Sequence, residues 1–241
     1  MYGMEKERGS RKEVASMRLL YLPRGTERLE KLGQLKKYPK GHIIIRPDEI
    51  PDCCYVVKSG RVLAFEYTPN GEERIYNFNE PGSVLLEANA LMHCAAQVYF
   101  KTAVPTELIC ISSVTLQMAM QQDLQLQTDI LQSVCTKFLS AMAQVRHENG
   151  HNVTWKICDL LLVFAERFGV PYDGKVLIKE KISQQLLSNM LGVNRITTVR
   201  AIGDLKNMNL IEQINGYYCI RDVDALRRHQ EYLDANSADR K

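Results

Sequence analysis

The stretch that decides the fold is residues 182–220, "ISQQLLSNMLGVNRITTVRAIGDLKNMNLIEQINGYYCI". Residues 182–191 carry the apolar spacing of one short helix, and Gly192 interrupts it with a residue free to take positive φ. A second helix is predicted over 194–207. Leu186, Leu187, Met190, Val193, Ile202 and Leu205 fall where they can share one small core. Two helices joined by a short glycine-containing turn form the helix-turn-helix of DNA readers. Residues 212–220 then predict a β-hairpin turning at Asn215-Gly216. Together these make a winged helix.

The side chains suit a nucleic-acid partner. Asn194, Arg195, Ile196, Thr197 and Thr198 lie in the first turn of the second helix, and Arg200 follows one turn later. The N-terminal part of a recognition helix is the part that meets base edges. Arg forms bidentate hydrogen bonds to guanine O6 and N7. Ser183, Gln185, Thr197 and the helix N-termini are placed to hold phosphates. Within 181–210, Lys181, Arg195, Arg200 and Lys206 stand against Asp204 alone, a net +3 that equals the formal charge of the whole chain. Double-stranded DNA is the expected partner, although the overall charge is mild.

Outward from this segment, the 241 residues predict two domains in an α+β chain. The longest apolar run, 160–165, is too short to span a bilayer. Residues 1–14 lack the apolar core of a signal peptide. The expectation is a cytoplasmic chain without a membrane partner. Seven cysteines, an odd number with no C-x-x-C spacing, fit reduced thiols better than a disulfide framework.

Residues 1–16 are charged and aperiodic, a flexible tail. Residues 17–35 predict one or two short helices. From 40 to 112, short β-rich runs ("HIIIR", "CCYVVKSG", "RVLAFEYTPNG", "ERIYNF", "EPGSVLL", "VYFKTAV", "ELICIS") alternate with turn signals. That pattern predicts a double-stranded β-roll, or jelly roll, occupying a domain of 17–121. Residues 122–149 predict a long helix in which Leu124, Leu131, Val134, Phe138, Ala141 and Val145 fall mostly at alternating steps of three and four, the seam of a dimerisation helix. Asn152 is placed to cap the next helix, 153–168, and Gly169 stands where a left-handed cap glycine is expected. Residues 150–241 complete a DNA-binding domain.

At this point the chain resembles a family. "VTWKICDLLLVFA", "ISQQLLSNMLGVNRITTVRAIGDL" and the Asn-Gly wing are similar to the Crp/Fnr family of bacterial transcription regulators. "GHIIIRPDEIPDCCYVVKSGRV", "NGEERIYNF" and "EPGSVLLE" resemble that family's cyclic-nucleotide-binding-like β-roll. The resemblance covers residues 18–230. It implies a homodimer on a near-palindromic operator, a small-molecule effector in the roll, and RNA polymerase as a partner. The family's reading helix commonly carries an Arg-Glu pair and a later Arg. Arg195 and Arg200 occupy the Arg positions, while Ile196 replaces Glu. Ile cannot accept from cytosine N4 but can touch a thymine methyl.

The resemblance also sharpens the reading of 82–98, "GSVLLEANALMHCAAQV". Members that bind cyclic AMP hold the ribose with a Gly-Glu pair and the cyclic phosphate with an Arg-Ser pair. Glu87 is similar to the Glu, Leu86 stands at the Gly position, and Ala96 and Gln97 fall at the Arg-Ser positions. Burying a phosphate charge without a cation or N–H donors is costly. A cyclic nucleotide is therefore not expected. Tyr76, Val84, Leu85, Leu86, Glu87, Leu91, Met92, Val98 and Tyr99 are the candidate pocket, suited to an apolar or aromatic molecule.

Rival chemistries are weighed on the same residues. Haem would draw on Met92, His93 or Cys94, with His93 and Cys94 the candidate ligands of a gas or redox sensor. An iron–sulphur cluster is not expected, since no cysteine precedes Cys53. Cys53 and Cys54 are adjacent in a strand, where neighbours point to opposite faces, so buried thiols are expected rather than a disulfide. His147-Glu148-Asn149-Gly150-His151 matches the H-E-x-x-H signature of zinc hydrolases, which needs both histidines on one helical face and a third ligand, Glu166 being the nearest offer. No G-x-S-x-G, P-loop or H-x-H pattern accompanies it. The expected protein is not an enzyme and holds no metal.

Overall fold

The computed structural model describes residues 27–238. The predicted tail and the part of the predicted helices before residue 27 lie outside them. The chain forms two compact units that part between Leu139 and Ser140.

The first unit opens with a one-turn helix, α1 (Glu27–Glu30). The strands are β1 (Gln34–Tyr38), β2 (Ile43–Ile45), β3 (Cys53–Ser59), β4 (Val62–Tyr67), β5 (Glu73–Asn79), β6 (Val84–Leu85), β7 (Tyr99–Thr102) and β8 (Thr106–Ser112), with α2 (Glu87–Met92) between β6 and β7. They build two antiparallel four-stranded sheets, ordered β1-β8-β3-β6 and β2-β7-β4-β5. Helices α3 (Ser113–Gln122) and α4 (Leu124–Gly150) follow. The chain turns from one to the other at Asp123, whose Oδ1 accepts from the backbone N–H groups of Gln125 and Leu126 at 2.9 and 3.1 Å.

The β8-β3-β6 part of the first sheet is buried on both faces. Val57, Leu85 and Leu108 point into the roll interior with Ile45, Val62, Leu86 and Ala96. Cys54, Val56, Val84, Ile109 and Ile111 point the other way, onto Leu29, Ala90, Leu116, Leu126 and Ile130 of the four helices. This double burial is why "CCYVV" and "LICI" read as continuous apolar runs rather than alternating ones.

One strand departs from expectation. Residues 34 and 35, predicted helical, belong to β1, which pairs with β8 from Gln34↔Cys110 to Tyr38↔Thr106. Its side chains are mostly exposed, so it carries no apolar signal. Backbone pairing on the sheet edge makes it a strand.

The second unit contains α5 (Val153–Phe168), β9 (Gly169–Tyr172), β10 (Lys175–Ile178), α6 (Gln184–Leu191), α7 (Arg195–Asn207), β11 (Ile211–Ile214), β12 (Tyr217–Ile220) and α8 (Val223–Ala238). The strands form an antiparallel sheet ordered β11-β12-β10-β9. Asn152 caps α5 as expected, its Oδ1 accepting from Trp155 N–H at 2.9 Å. Gly169 does not take the left-handed conformation; its φ is −73° and it opens β9. The need for glycine there is proximity: a Cβ would lie 2.1 Å from the Ala165 carbonyl oxygen.

Candidate nucleic-acid interface and sensor domain

Ser183 begins α6 as its N-cap, its Oγ accepting from Leu186 N–H at 3.0 Å. The helix ends where Gly192 takes φ 62°. The Asn194 side chain then caps α7, accepting from Ile196 N–H at 2.7 Å. The two helices are tied by a buried bond from Ser188 Oγ to Thr198 Oγ1, 3.1 Å. Thr198, expected among the DNA-facing residues, is therefore an interior residue. It shares the inner face of α7 with Ala201, Ile202 and Leu205.

The outer face of α7 is Arg195, Ile196, Thr197, Val199 and Arg200, all exposed. Neither Arg guanidinium has a hydrogen-bond or ion-pair partner among the described residues. Gln185 is exposed on α6 and donates to Asn189 Oδ1 at 2.7 Å. The wing forms as expected: Ile214 pairs with Tyr217 across Asn215 and Gly216, whose φ values are 51° and 84°. Positive φ at both central residues is the tight hairpin geometry that Asn-Gly favours. Lys181 lies over the Tyr217 ring at 5.8 Å from its centre. Across the sheet, Lys175 and Arg221 pair with Glu212 at 2.8 and 2.6 Å, and the Lys175 hydrogen bond foremost holds that carboxyl below its usual range.

In the roll, the expected pocket residues do not line one space. Leu85 and Leu86 face the interior, with Tyr38, Tyr55 and Phe100 around them. Val84 and Leu91 pack on the opposite side of the sheet, under the helices. Strand alternation sends Val84 and Leu85 to opposite faces. Met92 is 74% exposed. Tyr76 donates its hydroxyl to Glu66. Tyr99 stacks on Phe65, ring centres 5.3 Å apart.

Glu87 is 2% exposed, and its carboxylate is fully engaged. Lys137 of α4 reaches it at 2.5 and 2.7 Å, Ser133 Oγ donates at 2.7 Å, and Lys137 also donates to the Val84 carbonyl at 2.6 Å. Glu87 thus ties α2 to α4, and sequence reading missed Lys137 and Ser133. Leu86 takes φ 61°, so it keeps the left-handed backbone of the glycine it replaces. Of the expected phosphate positions, Ala96 is buried and Gln97 is exposed with its amide on the Ala95 carbonyl. Neither supplies a cation.

His93 and Cys94 are both exposed at the end of α2. Haem needs its ligand beside an apolar pocket, so these residues do not fit it. No cluster of three metal-ligating side chains exists among the described residues. The H-E-x-x-H match also fails: α4 ends at Gly150, so His151 lies beyond the helix that would have to present both histidines. His151 instead stacks on Trp155, ring centres 3.8 Å apart, and its Nδ1 is 3.2 Å from Asp234. The side chains of His147 and Glu148 lie outside the described set. Cys53 and Cys54 are free thiols, pushed up by burial to about 11 and about 12.

On α4, Leu126, Ile130, Ser133 and Lys137 face the roll. Leu124, Leu131, Phe138 and Val145, seven residues apart, are exposed by 77, 62, 62 and 54%. Thr128, Cys135 and Met142 are exposed at the intervening four-three positions and complete the stripe, with Gln125, Gln127, Gln132, Leu139 and Ala141 exposed beside it. Val134 and Ala141, expected in the seam, sit one position off it, and Val134 is half-buried.

Two family models match the chain in order. Residues 35–123 match the cyclic nucleotide-binding domain and residues 156–229 the Crp-like helix-turn-helix domain. This chain belongs to the Crp/Fnr family. Among Crp/Fnr relatives, it is 22% identical over 180 residues to a global nitrogen regulator of Synechococcus elongatus, covering 74% of this chain and 81% of the relative. It is 19% identical over 206 residues to a CRP-like cAMP-activated global transcriptional regulator of Mycobacterium tuberculosis, covering 86% and 92%. Its fold matches a CooA mutant from Carboxydothermus hydrogenoformans with a TM-score of 0.73 at 15% identity, over 85% of this chain and 90% of that one. As a Crp/Fnr member, the chain is a DNA-binding transcription regulator with an effector-binding domain. No helix among the described residues is long and apolar enough to cross a membrane.

Proposed function

We propose that the protein works as a homodimer on a near-palindromic operator, and that its roll senses a small molecule other than a cyclic nucleotide. The observation that carries the DNA reading is the outer face of α7, where Arg195 and Arg200 stand exposed and without partners among the described residues. Charged groups left unpaired on a rigid helix suit guanine edges and phosphates supplied from outside. The exposed a/d stripe of α4 supports the dimer. Two copies would set the two readers about 34 Å apart, one DNA turn. RNA polymerase is the proposed partner of the bound dimer.

The effector reading rests on the roll interior. It is lined by Ile45, Val57, Val62, Leu85, Leu86 and Leu108, with aromatic rings at its edge and no cation at the phosphate positions. That lining suits an apolar or aromatic molecule.

The test is selection of duplexes from a random pool by the full-length chain, followed by affinity measurements. Arg200→Ala is expected to cost about 1–3 kcal/mol and to relax one base preference per half-site. Unchanged affinity and preference would sink the assignment of α7.

A further inference from the structure

We infer that Ile196, Val199 and Gly203 form an apolar, close-approach strip by which α7 reads thymine 5-methyl groups beside guanine. This rests on α7 being the DNA-reading helix.

Positions 196, 199 and 203, with Arg200, are spaced i, i+3, i+4 and i+7 and so fall on one line of the helix. The opposite line, Thr198, Ala201, Ile202 and Leu205, is the buried one. Ile196 is 61% and Val199 39% exposed. Both are β-branched aliphatics, which an exposed helix does not favour. Gly203 is the stronger sign. Glycine inside a helix is unfavourable relative to alanine. A Cβ at Gly203 would meet nothing within 4 Å, and its φ is not in the left-handed range. The protein's own packing therefore gives no reason for glycine there. The bare backbone serves a surface brought from outside, one turn beyond Arg200.

The chemistry of that surface follows from what the strip offers. Arg195 and Arg200 are donors. The Asn194 side-chain Oδ1 is already used on Ile196 N–H, and the first carboxylate of the helix is Asp204, ten residues on from the cap. Thr197, also exposed on this face, adds one hydroxyl that donates or accepts, so the face is rich in donors and methyl groups and has few of the acceptors that cytosine N4 or adenine N6 need. In the major groove the acceptor-rich base is guanine, and the only apolar group is the thymine methyl. Two guanidiniums flanking the strip match a polyanionic partner rather than an apolar protein surface. Methyl contact requires carbon atoms within about 4 Å, and the missing side chain at Gly203 permits that approach.

The full-length chain is used to select its best duplex from a random pool. Each thymine of that site is then replaced in turn by deoxyuridine, which keeps the pairing and O4 and lacks only the methyl. Replacement at one or two positions per half-site is expected to weaken binding about fourfold each, the worth of one buried methyl-sized group. The penalty should vanish in Ile196→Ala or Val199→Ala. Gly203→Ala should raise the melting temperature while weakening specific binding, a combination that misfolding cannot produce. Selected half-sites without thymine, indifference to deoxyuridine, penalties that persist in both alanine variants, or unchanged binding by Gly203→Ala would overturn the inference. Failure to select any sequence would overturn the DNA-reading role of α7 itself, which is a separate result.

Discussion

Lys137 is the residue whose removal tests the roll most directly. Lys137→Met strips the Glu87 carboxylate of two contacts at 2.5 and 2.7 Å and leaves it with Ser133 alone. The Val84 carbonyl also loses its donor. Removing one partner of a buried pair costs about 3–5 kcal/mol. The Lys137 side chain is 24% exposed, which places the expected loss near the lower bound, about 3 kcal/mol. Glu87→Gln alone should cost less, about 1–2 kcal/mol, because the ammonium group has a route to water. The double variant Glu87→Gln/Lys137→Met leaves no buried charge and should lie within about 1 kcal/mol of the parent. The coupling between the two sites would then be about 3–5 kcal/mol. Urea unfolding followed by far-UV circular dichroism measures it. With a slope of about 1–3 kcal/mol per molar, Lys137→Met should lower the midpoint of the roll by roughly 1–3 M. The single tryptophan, Trp155, lies in the other unit, so its fluorescence transition serves as an internal control and should not move. Additive single effects, or a double variant no better than Lys137→Met, would show that the pair is not the latch joining α2 to α4.

Two further outcomes are expected. Burial holds the His151 imidazole below its ordinary range, with Asp234 opposing and Arg146 and Lys156 adding to the shift. The unfolded chain then binds the extra proton first, so the His151 contribution is complete above about pH 6.5 and is lost as pH falls below it. Because the imidazole stacks on Trp155, tryptophan fluorescence should titrate with a midpoint below the ordinary histidine value, and His151→Gln should abolish that step. A midpoint at or above the ordinary value would refute the assignment. On α4, Cys135 lies in the exposed stripe, and in a parallel dimer the two copies would meet across the axis. Mild oxidation should therefore give a disulfide-linked dimer that Cys135→Ser abolishes and Cys94→Ser does not. Equal loss in both variants would count against the seam.

The winged helix was legible because its signals are local. Gly192 and the Asn215-Gly216 turn act over two to four residues, and the structure places both where residue type alone puts them, while Ser183 and Asn194, expected to meet DNA, also cap α6 and α7. Residue type also predicted the strands of the roll, except β1, an exposed edge held by backbone bonds to β8. In the second unit it missed β9, a short edge strand paired with β10. Thr198 looked like a DNA contact because its position in the first turn was readable and its face was not.

The sequence alone determined the order of a sensor roll, a long amphipathic helix and a DNA reader, and it showed that no cation stands at the phosphate positions of 82–98. Tertiary structure decided where the side chains of that segment go. Val84 and Leu85 divide between two cores, Met92 and His93 face solvent, and Glu87 finds a lysine 50 residues away. Helix caps and turns are set by neighbours in the chain, whereas the partner of a buried charge is set by which surfaces pack together, and no local pattern encodes that.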